Sequence, residues 1–219
     1  MRLIFATNNS HKMSEIKDIL GDKYKDFVKT MSDIGVKVEP DETGTTFLEN
    51  AYIKSNALYL EMKNKNLLEP GDFIVSDDTG LCIDFLDGAP GIMSARFMGD
   101  ISQEEKNRKI LELMKDVSGD KRNAHFITEL SVIEIGDNIH SDPKILSFEG
   151  KIEGYIAEKI EKTDGFGYDP IFAVGNVNDS IKGVVKTYSN LGVAEKNKIS
   201  HRARALSKFV EYLEKNHNI

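Results

Sequence analysis

Apolar and polar positions alternate at the start of the chain in a way that predicts a strand followed by a helix. Residues 3–6 form a short apolar run that ends at a polar cluster, which is typical of a buried strand. Apolar residues then recur at helical spacing, and Gly21 follows them as a helix stop. The inward positions of this helix are Met13, Ile16, Ile19 and Leu20.

Three further helices are predicted by capping residues that precede apolar stripes. Thr46 and Glu49 form a capping box, so we expect a helix over about residues 46–63 and assign Glu49 to capping. Ser102 and Glu105 form a second box, and a closing helix begins near Ser200. The buried stripes are Ala51, Ser55, Leu58 and Met62 in the first, Ile110, Leu111 and Met114 in the second, and Leu206, Phe209, Val210 and Leu213 in the third.

The strands are predicted between these helices. Residues 73–76 form an apolar run that enters an Asp-Asp-Thr-Gly turn signal, and residues 81–86 form another, so we expect Asp77 and Asp78 where a strand ends. The stretch from about 122 to 160 is β-rich, with a turn signal at residues 136–138 that predicts a hairpin. Interspersed strands and helices predict one α/β domain over residues 1–219 with a mixed sheet.

Composition narrows the possible functions. The formal net charge is −7 and the pI is about 5.3, so the surface as a whole repels nucleic acid and anionic lipid, and we expect neither as a partner. The single cysteine, Cys82, lies in an apolar run and is interpreted as a buried thiol in a reducing, cytoplasmic compartment. No apolar stretch has the length of a membrane span or signal peptide, so we expect no membrane association.

The polar loop after the first strand is a candidate phosphate site. It consists of Thr7, Asn8, Asn9, Ser10, His11 and Lys12. Unpaired backbone N–H groups and the helix dipole favour an anion at a helix start, and hydroxyl, amide and ammonium groups add donors. The alternative is an ordinary helix cap beside a solvated lysine. The loop lacks the glycines of a P-loop ATPase.

Four carboxylates are candidates for metal binding and catalysis. Asp41 and Glu42 precede the second helix, and Asp77 and Asp78 are adjacent. Mg²⁺ is held by hard oxygen ligands, usually one or two carboxylates with substrate phosphates, and another carboxylate can deprotonate water. Neighbouring residues of an extended chain point in different directions, so Asp77 and Asp78 can serve different roles. The alternative is a simple acidic turn.

A glycine-flanked aromatic segment is a candidate base-binding element. Phe166 can stack on a base, and polar side chains near it can read the base edge. The segment continues with Gly167, Tyr168 and Asp169, and Lys196, His201 and Arg202 follow later in the chain. The alternative is a tight turn and a basic helix start, with His201 in a structural role.

Taken together, six motifs in order make the sequence resemble the inosine triphosphate pyrophosphatase family. They are residues 6–12 (T-x-N-x-x-K), 42–51 (E-T-G-x-T-F-x-E-N-A), 77–81 (D-D-[ST]-G-L), 88–96 (G-A-P-G-x-x-S-A-R), 166–170 and 195–202. Three departures occur: Asn8 stands where glycine is usual, Met93 where an aromatic is common, and residues 188–194 differ from the usual approach to the lysine.

The resemblance implies roles for individual residues. Thr7, Asn9 and Lys12 would grip a triphosphate, Glu42 and Asp78 would hold Mg²⁺, and Asp78 or Asp77 would activate water. Thr79 would touch phosphate or sugar, and Phe166 would stack on the base. Asp169, Lys196, His201 and Arg202 would surround the base edge. The resemblance also implies a homodimer of two-lobed α/β subunits.

The expected activity is hydrolysis of non-standard purine nucleoside triphosphates (ITP, dITP and XTP) to the monophosphate and pyrophosphate. One alternative is a Maf-like pyrophosphatase acting on pyrimidine or modified nucleotides, which the Phe166 and His201–Arg202 segments disfavour. Another is a catalytically silent nucleotide-binding protein, which the complete carboxylate set disfavours.

Overall fold

The computed structural model describes residues 1–160, 165–175, 177 and 185–217. In this part of the chain the strands are β1 (Leu3–Phe5), β2 (Val28–Thr30), β3 (Phe73–Ile83), β4 (Asn123–Glu134), β5 (Lys144–Ile156) and β6 (Phe172–Val174). The α-helices are α1 (Ser10–Tyr24), α2 (Phe47–Asn64), α3 (Gln103–Leu113), α4 (Tyr188–Leu191), α5 (Val193–Ile199) and α6 (His201–His217).

The six strands form one mixed sheet in the order β2-β1-β3-β4-β5-β6. β1 is parallel to both β2 and β3, whereas β5 and β6 are antiparallel. β4 and β5 are consecutive in the chain and adjacent in the sheet, as the predicted hairpin requires. The α/β class with a mixed sheet and flanking helices is therefore confirmed.

The chain forms two compact units. Unit 1 comprises residues 1–78, 128–150 and 202–219, and unit 2 comprises residues 79–127 and 151–201. The chain passes from one unit to the other within β3, β4 and β5, and again at the start of α6. A single domain over residues 1–219 stays a prediction.

The core of unit 1 follows the alternation of β1 and β3. Leu3, Phe5, Phe73 and Val75 pack with the buried residues of α1 and α6, which include the predicted Ile16, Leu206 and Phe209. Ile4, Ala6 and Ile74 pack instead with Leu58 and Met62 of α2. Because successive side chains of a strand point to opposite faces, α1 and α6 cover one face and α2 the other.

Unit 2 has its own core and a buried arginine that braces it. Leu81 and Ile83 of β3 pack with Ile110 of α3 and with aromatic residues of β4 and β6. The guanidinium of Arg122 is 3% exposed and donates to four backbone carbonyl oxygens, those of Met114, Val117, Ile156 and Ala157. These bonds satisfy carbonyl groups at the end of α3 and the end of β5.

The predicted turn at residues 77–80 is wrong, because β3 runs through it. Asp77 and Asp78 therefore lie in the middle of a strand from Phe73 to Ile83 rather than at its end. Aspartate and glycine disfavour strands on their own. Here both carboxylates have cationic partners on the helices, so the ion pairs outweigh the local preference.

The predicted helix signals are confirmed. Both capping boxes form, at Thr46–Glu49 and at Ser102–Glu105. Gly21 has φ 64° and ψ −169°, so it interrupts helical geometry where the sequence predicts a stop, although α1 resumes to Tyr24. Cys82 is buried, as predicted.

No helix within the described residues is both long enough and apolar enough to cross a membrane.

Candidate active site

The phosphate-loop candidate caps α1 in unit 1. The Asn9 side chain accepts hydrogen bonds from the backbone N–H groups of His11 (3.0 Å) and Lys12 (3.1 Å), and Thr7 Oγ1 accepts from Asn9 N–H (3.2 Å). Asn9 is therefore a helix cap, as the alternative interpretation held. The loop borders a cavity of about 460 Å³, which is lined by Thr7, Asn8, Asn9 and Ser10 together with residues of α1 and of the chain at the end of β2.

Asp77 faces α1 and α6 and is held by two cations. Its Oδ2 accepts from Lys12 Nζ at 3.0 Å and from Arg202 Nη2 at 3.1 Å. Arg202 also forms an ion pair with Glu15 of α1. Although burial alone would raise it, the pKa of Asp77 is lowered well below its usual range by Lys12 and Arg202, so this carboxylate is fully ionised.

Asp78 faces α2 and has a different environment. The Lys54 ammonium lies 3.3 Å from Asp78 Oδ1 and 3.2 Å from Glu42 Oε1, so one cation holds both predicted metal ligands. The other oxygen, Asp78 Oδ2, is buried and has no hydrogen-bond partner among the described residues. Burial raises the pKa of Asp78, with Lys54 acting in the opposite direction.

The Glu42–Asp78 pair fits a divalent cation that is completed by substrate. Within the described part of the chain, no group of three or more His, Cys, Asp or Glu side chains is arranged to hold a metal. Mg²⁺ in nucleotide-handling sites is usually bound by one or two carboxylates and by substrate phosphates. An unpartnered buried carboxylate oxygen beside a second carboxylate matches that donor set.

The segment that carries Glu42 is fixed to the start of α2. Glu49 Oε2 accepts from the backbone N–H groups of Thr45 (2.6 Å) and Thr46 (3.1 Å), so Glu49 caps the helix as predicted. The backbone N–H of Gly44 donates to Asn50 Oδ1 at 2.8 Å. A β-carbon at Gly44 would lie 2.7 Å from both Asn50 Oδ1 and Glu49 Cβ, so only glycine fits.

In unit 2, the aromatic segment is built around Asp169. The Asp169 carboxylate accepts from the backbone N–H of Phe166 at 2.9 Å and from Lys196 Nζ at 2.7 Å, and both acidic and basic side chains are almost fully buried. Gly165 has φ +115°, and a β-carbon there would lie 2.8 Å from Asp169 Cβ and Ser189 Oγ. The segment turns sharply and leaves the Phe166 side chain 38% exposed.

Two further side chains form hydrogen bonds that hold this segment in place. Asn107 of α3 donates to Gly167 O at 3.1 Å, and the Tyr168 hydroxyl donates to Ser94 O at 2.8 Å. Burial raises the pKa of Tyr168 to about 12. Phe166 thus lies on a turn that is held by several hydrogen bonds.

The predicted base-edge residues divide between the two units. His201 is buried in unit 2 and stacks on Phe126, with ring centroids 4.6 Å apart and an interplanar angle of 12°. The next residue, Arg202, belongs to unit 1 and contacts Asp77 and Glu15. Thr79 follows Asp78 directly and is half-buried as the first residue of unit 2. Roles of these residues at a base edge or phosphate stay predictions.

Sequence reasoning missed Lys54 and Glu15. Lys54 lies between Ala51 and Leu58 at helical spacing, within the apolar stripe of α2, and a lysine in such a stripe requires an anionic partner. Glu15 lies three residues after Lys12 and next to the buried Ile16. In both helices, the signal was a charge at an inward position of an amphipathic pattern.

Comparisons with known proteins identify the family of the chain. A model of the Ham1 family matches residues 3–212. The chain is 41% identical over 214 residues to a dITP/XTP pyrophosphatase of Caldanaerobacter subterraneus, covering 97% of this chain and 96% of the relative. It is also 41% identical over 212 residues to the dITP/XTP pyrophosphatase of Bacillus subtilis, covering 96% of each.

Solved structures give the same result. The Ham1 protein of Staphylococcus aureus superposes with a TM-score of 0.76 at 31% identity, covering 98% of this chain and 99% of that one. A HAM1 protein from Coxiella burnetii gives a TM-score of 0.76 at 32% identity, with the same coverage.

Proposed function

Since the chain belongs to the Ham1 family, we propose that it hydrolyses non-standard purine nucleoside triphosphates, ITP, dITP and XTP, to the monophosphate and pyrophosphate. The relatives named dITP/XTP pyrophosphatase support the substrate class. The observation that carries the proposal is the pair of carboxylates that Lys54 holds together, with one buried oxygen of Asp78 unpartnered among the described residues.

Glu42 and Asp78 would hold Mg²⁺ through their carboxylate oxygens. Mg²⁺ supplies charge neutralisation on the phosphate oxygens in such a site. Burial lowers the pKa of Lys54, but Asp78, Asp77 and Glu42 together raise it above its usual value, so the ammonium stays protonated and would offset part of the negative charge of the acidic side chains and the phosphates.

Asp78 rather than Asp77 is assigned to the activation of water. Asp77 Oδ2 accepts from Lys12 and Arg202, whereas Asp78 Oδ2 has no hydrogen-bond partner among the described residues, so Asp78 has an oxygen that can accept a proton. The water oxygen would attack the α-phosphorus, its proton would pass to Asp78, and the bond to the bridging oxygen would break to release pyrophosphate. Asp77 would orient Lys12 and Arg202.

The triphosphate would be gripped by the start of α1. Thr7, Asn9 and Lys12 provide a hydroxyl, an amide and an ammonium at a helix N-terminus, where anions are stabilised. Asn8, Ser10 and His11 would contribute backbone or side-chain donors of the same loop. This role is compatible with the cap formed by Asn9, because capping uses only its side-chain oxygen.

The base would stack on Phe166, which is the exposed aromatic ring of this turn. Stacking does not distinguish purines, since every base has a π-face. Discrimination would therefore depend on the polar groups of Asp169, Lys196, His201 and Arg202. Gly167 and Tyr168 would keep the turn in shape.

One assay tests the proposal. Release of pyrophosphate from ITP, dITP, XTP, GTP, ATP and the pyrimidine triphosphates is measured with Mg²⁺ and with a chelator, and the nucleotide products are identified. We expect monophosphate from the inosine and xanthosine substrates only when Mg²⁺ is present. Diphosphate and orthophosphate as products would reject hydrolysis at the α-phosphate, and a preference for pyrimidines would favour the Maf-like alternative.

Assembly and location are proposed on narrower grounds. The homodimer rests on the family resemblance, and light scattering of the purified chain measures it. A cytoplasmic location rests on the single buried cysteine, which is typical of a reducing compartment.

A further inference from the structure

Asn50 is buried in unit 1 with only one end of its side-chain amide hydrogen-bonded. The residue is 0% exposed, and its Oδ1 accepts from the backbone N–H of Gly44 at 2.8 Å. Its Nδ2 is buried and has no hydrogen-bond partner in the described part of the chain. Because a backbone N–H only donates, the amide oxygen must face Gly44, and this fixes the NH₂ group on the other side.

An NH₂ group in this state requires an acceptor. Burying a donor without a partner costs free energy, and native proteins rarely leave such groups unless water or a ligand completes them. The donor without a partner among the described residues therefore indicates an acceptor supplied by water or by a ligand.

The position of Asn50 indicates which ligand. Asn50 lies one turn before Lys54 on α2, and residues four apart share a helix face. Lys54 contacts Glu42 and Asp78, and Gly44, which bonds to Asn50, is two residues after Glu42. The same unit also contains a buried acceptor without a hydrogen-bond partner among the described residues, Asp78 Oδ2.

We propose that Asn50 has two roles in the reaction: its amide oxygen positions the Glu42 segment through Gly44, and its NH₂ group donates to an oxygen of the metal–triphosphate complex bound at Glu42 and Asp78. The inference rests on the proposed function and adds to it a hydrogen-bond donor within the acidic site.

Two substitutions separate the roles of the amide. Asn50→Asp keeps an acceptor for Gly44 but removes the donor, and Asn50→Ala removes both without adding charge. The missing donor is the one change that they share. Ser55→Ala is the matched control, since Ser55 is also a buried polar residue of α2 but bonds to Ser131 and the carbonyl of Tyr52.

Binding is measured by calorimetry with an ITP analogue that has a non-hydrolysable α,β-bridge, in the presence of Mg²⁺. Both Asn50 variants are expected to bind the analogue about tenfold more weakly than the parent, with Ser55→Ala unchanged. An Asn50→Asp variant that binds as tightly as the parent overturns the donor role.

A measurement on the parent protein does not depend on the folding of any variant. The side-chain NH₂ resonance of Asn50 is followed in ¹H–¹⁵N spectra during titration with Mg²⁺ alone, pyrophosphate alone, and Mg²⁺ with the analogue. We expect a downfield shift with the full complex. The same shift with Mg²⁺ alone would identify the acceptor as water on the metal, and the same shift with pyrophosphate alone would identify it as a phosphate oxygen. An unmoved Asn50 resonance, while the Lys12 amide responds, overturns the proposal.

Failure of this inference is distinguishable from failure of the proposed function. If the parent releases pyrophosphate from no purine triphosphate, the function is rejected. If the parent hydrolyses ITP but Asn50→Asp binds the analogue as tightly as the parent, or the Asn50 resonance does not move, only the assignment of Asn50 is overturned.

Discussion

Asp78 in unit 1 and Asp169 in unit 2 are both buried carboxylates that contact a lysine, yet they are satisfied to different extents. Asp169 accepts from Lys196 and from the backbone N–H of Phe166 through the same oxygen, which fixes a turn. Asp78 shares Lys54 with Glu42 and has a second oxygen that is buried without a partner among the described residues. The first carboxylate completes the fold, and the second is left available for a ligand.

The same contrast extends to the neighbours of each carboxylate. Around Asp169, glycine geometry at residue 165 and hydrogen bonds from Asn107 and Tyr168 hold the turn. In the region of Asp78, two buried polar atoms, Asn50 Nδ2 on α2 and Asp78 Oδ2 on β3, have no hydrogen-bond partner among the described residues. Breaking the buried Asp169–Lys196 pair should therefore lower stability in addition to any effect on base binding, whereas substitutions around Asp78 should affect mainly chemistry.

The largest expected effect is on the stability of the turn in unit 2. Lys196→Ala leaves the Asp169 carboxylate buried without its cation, and breaking a buried pair of this kind is expected to lower the free energy of unfolding by about 3 kcal/mol. Urea denaturation measures it. Lys198→Ala, on the same helix but exposed and paired with the exposed Glu195, is the matched control and should change stability by less than about 0.5 kcal/mol. Equal effects of the two variants would contradict a structural role for the pair.

In unit 1 the expected loss is catalytic. Asp78→Asn removes the proposed metal ligand and base, so kcat for ITP is expected to fall by at least about 10²-fold. The free energy of unfolding should not fall, because the substitution removes a buried charge that is incompletely satisfied. Near-parental turnover in a folded variant would move the essential role to another residue. Asp22→Asn, at an exposed carboxylate of α1, is the control.

What the sequence predicts well is determined by neighbours along the chain. Both capping boxes depend on residues within one turn of each other, and both appear in the structure, whereas Gly21 interrupts helical geometry without ending α1. The amphipathic stripes are also local patterns, and they identify most of the buried helix positions.

The path of β3 through Asp77 and Asp78 is the opposite case. The cations that allow a strand there are Lys12, Lys54 and Arg202, and the last lies 125 residues along the chain from Asp77. Local preference alone predicts a turn. For the same reason, the sequence does not predict that His201 stacks on Phe126 or that Arg202 pairs with Asp77, and the roles of both residues at a base edge stay predictions.

A smaller effect is expected on base selectivity. If Arg202 donates to a 6-oxo group, Arg202→Ala should lower the ratio of kcat/KM for ITP to that for ATP by roughly 10- to 100-fold, since a donor facing the adenine amino group is left unpaired. XTP and GTP are measured alongside. Arg204→Ala, an exposed arginine of α6, is the control. An unchanged ratio with reduced kcat would show that Arg202 acts through Asp77 and does not read the base.

The smallest expected effect concerns the Tyr168 hydroxyl in the aromatic turn. Burial raises the pKa of Tyr168 to about 12 in the folded protein, so the folded state retains this proton more tightly than the unfolded chain does. Its contribution to stability is therefore complete below the unfolded pKa of about 10 and is lost as pH rises towards 12. Tyr168→Phe removes both the titration and the hydrogen bond to Ser94, which should lower stability by about 1 kcal/mol at neutral pH. Thermal unfolding between neutral pH and strongly alkaline pH should then show the difference between parent and variant shrinking as the parent ionises. A constant difference across that range would mean that Tyr168 titrates normally, and that the turn is less firmly buried than the Asp169 pair indicates.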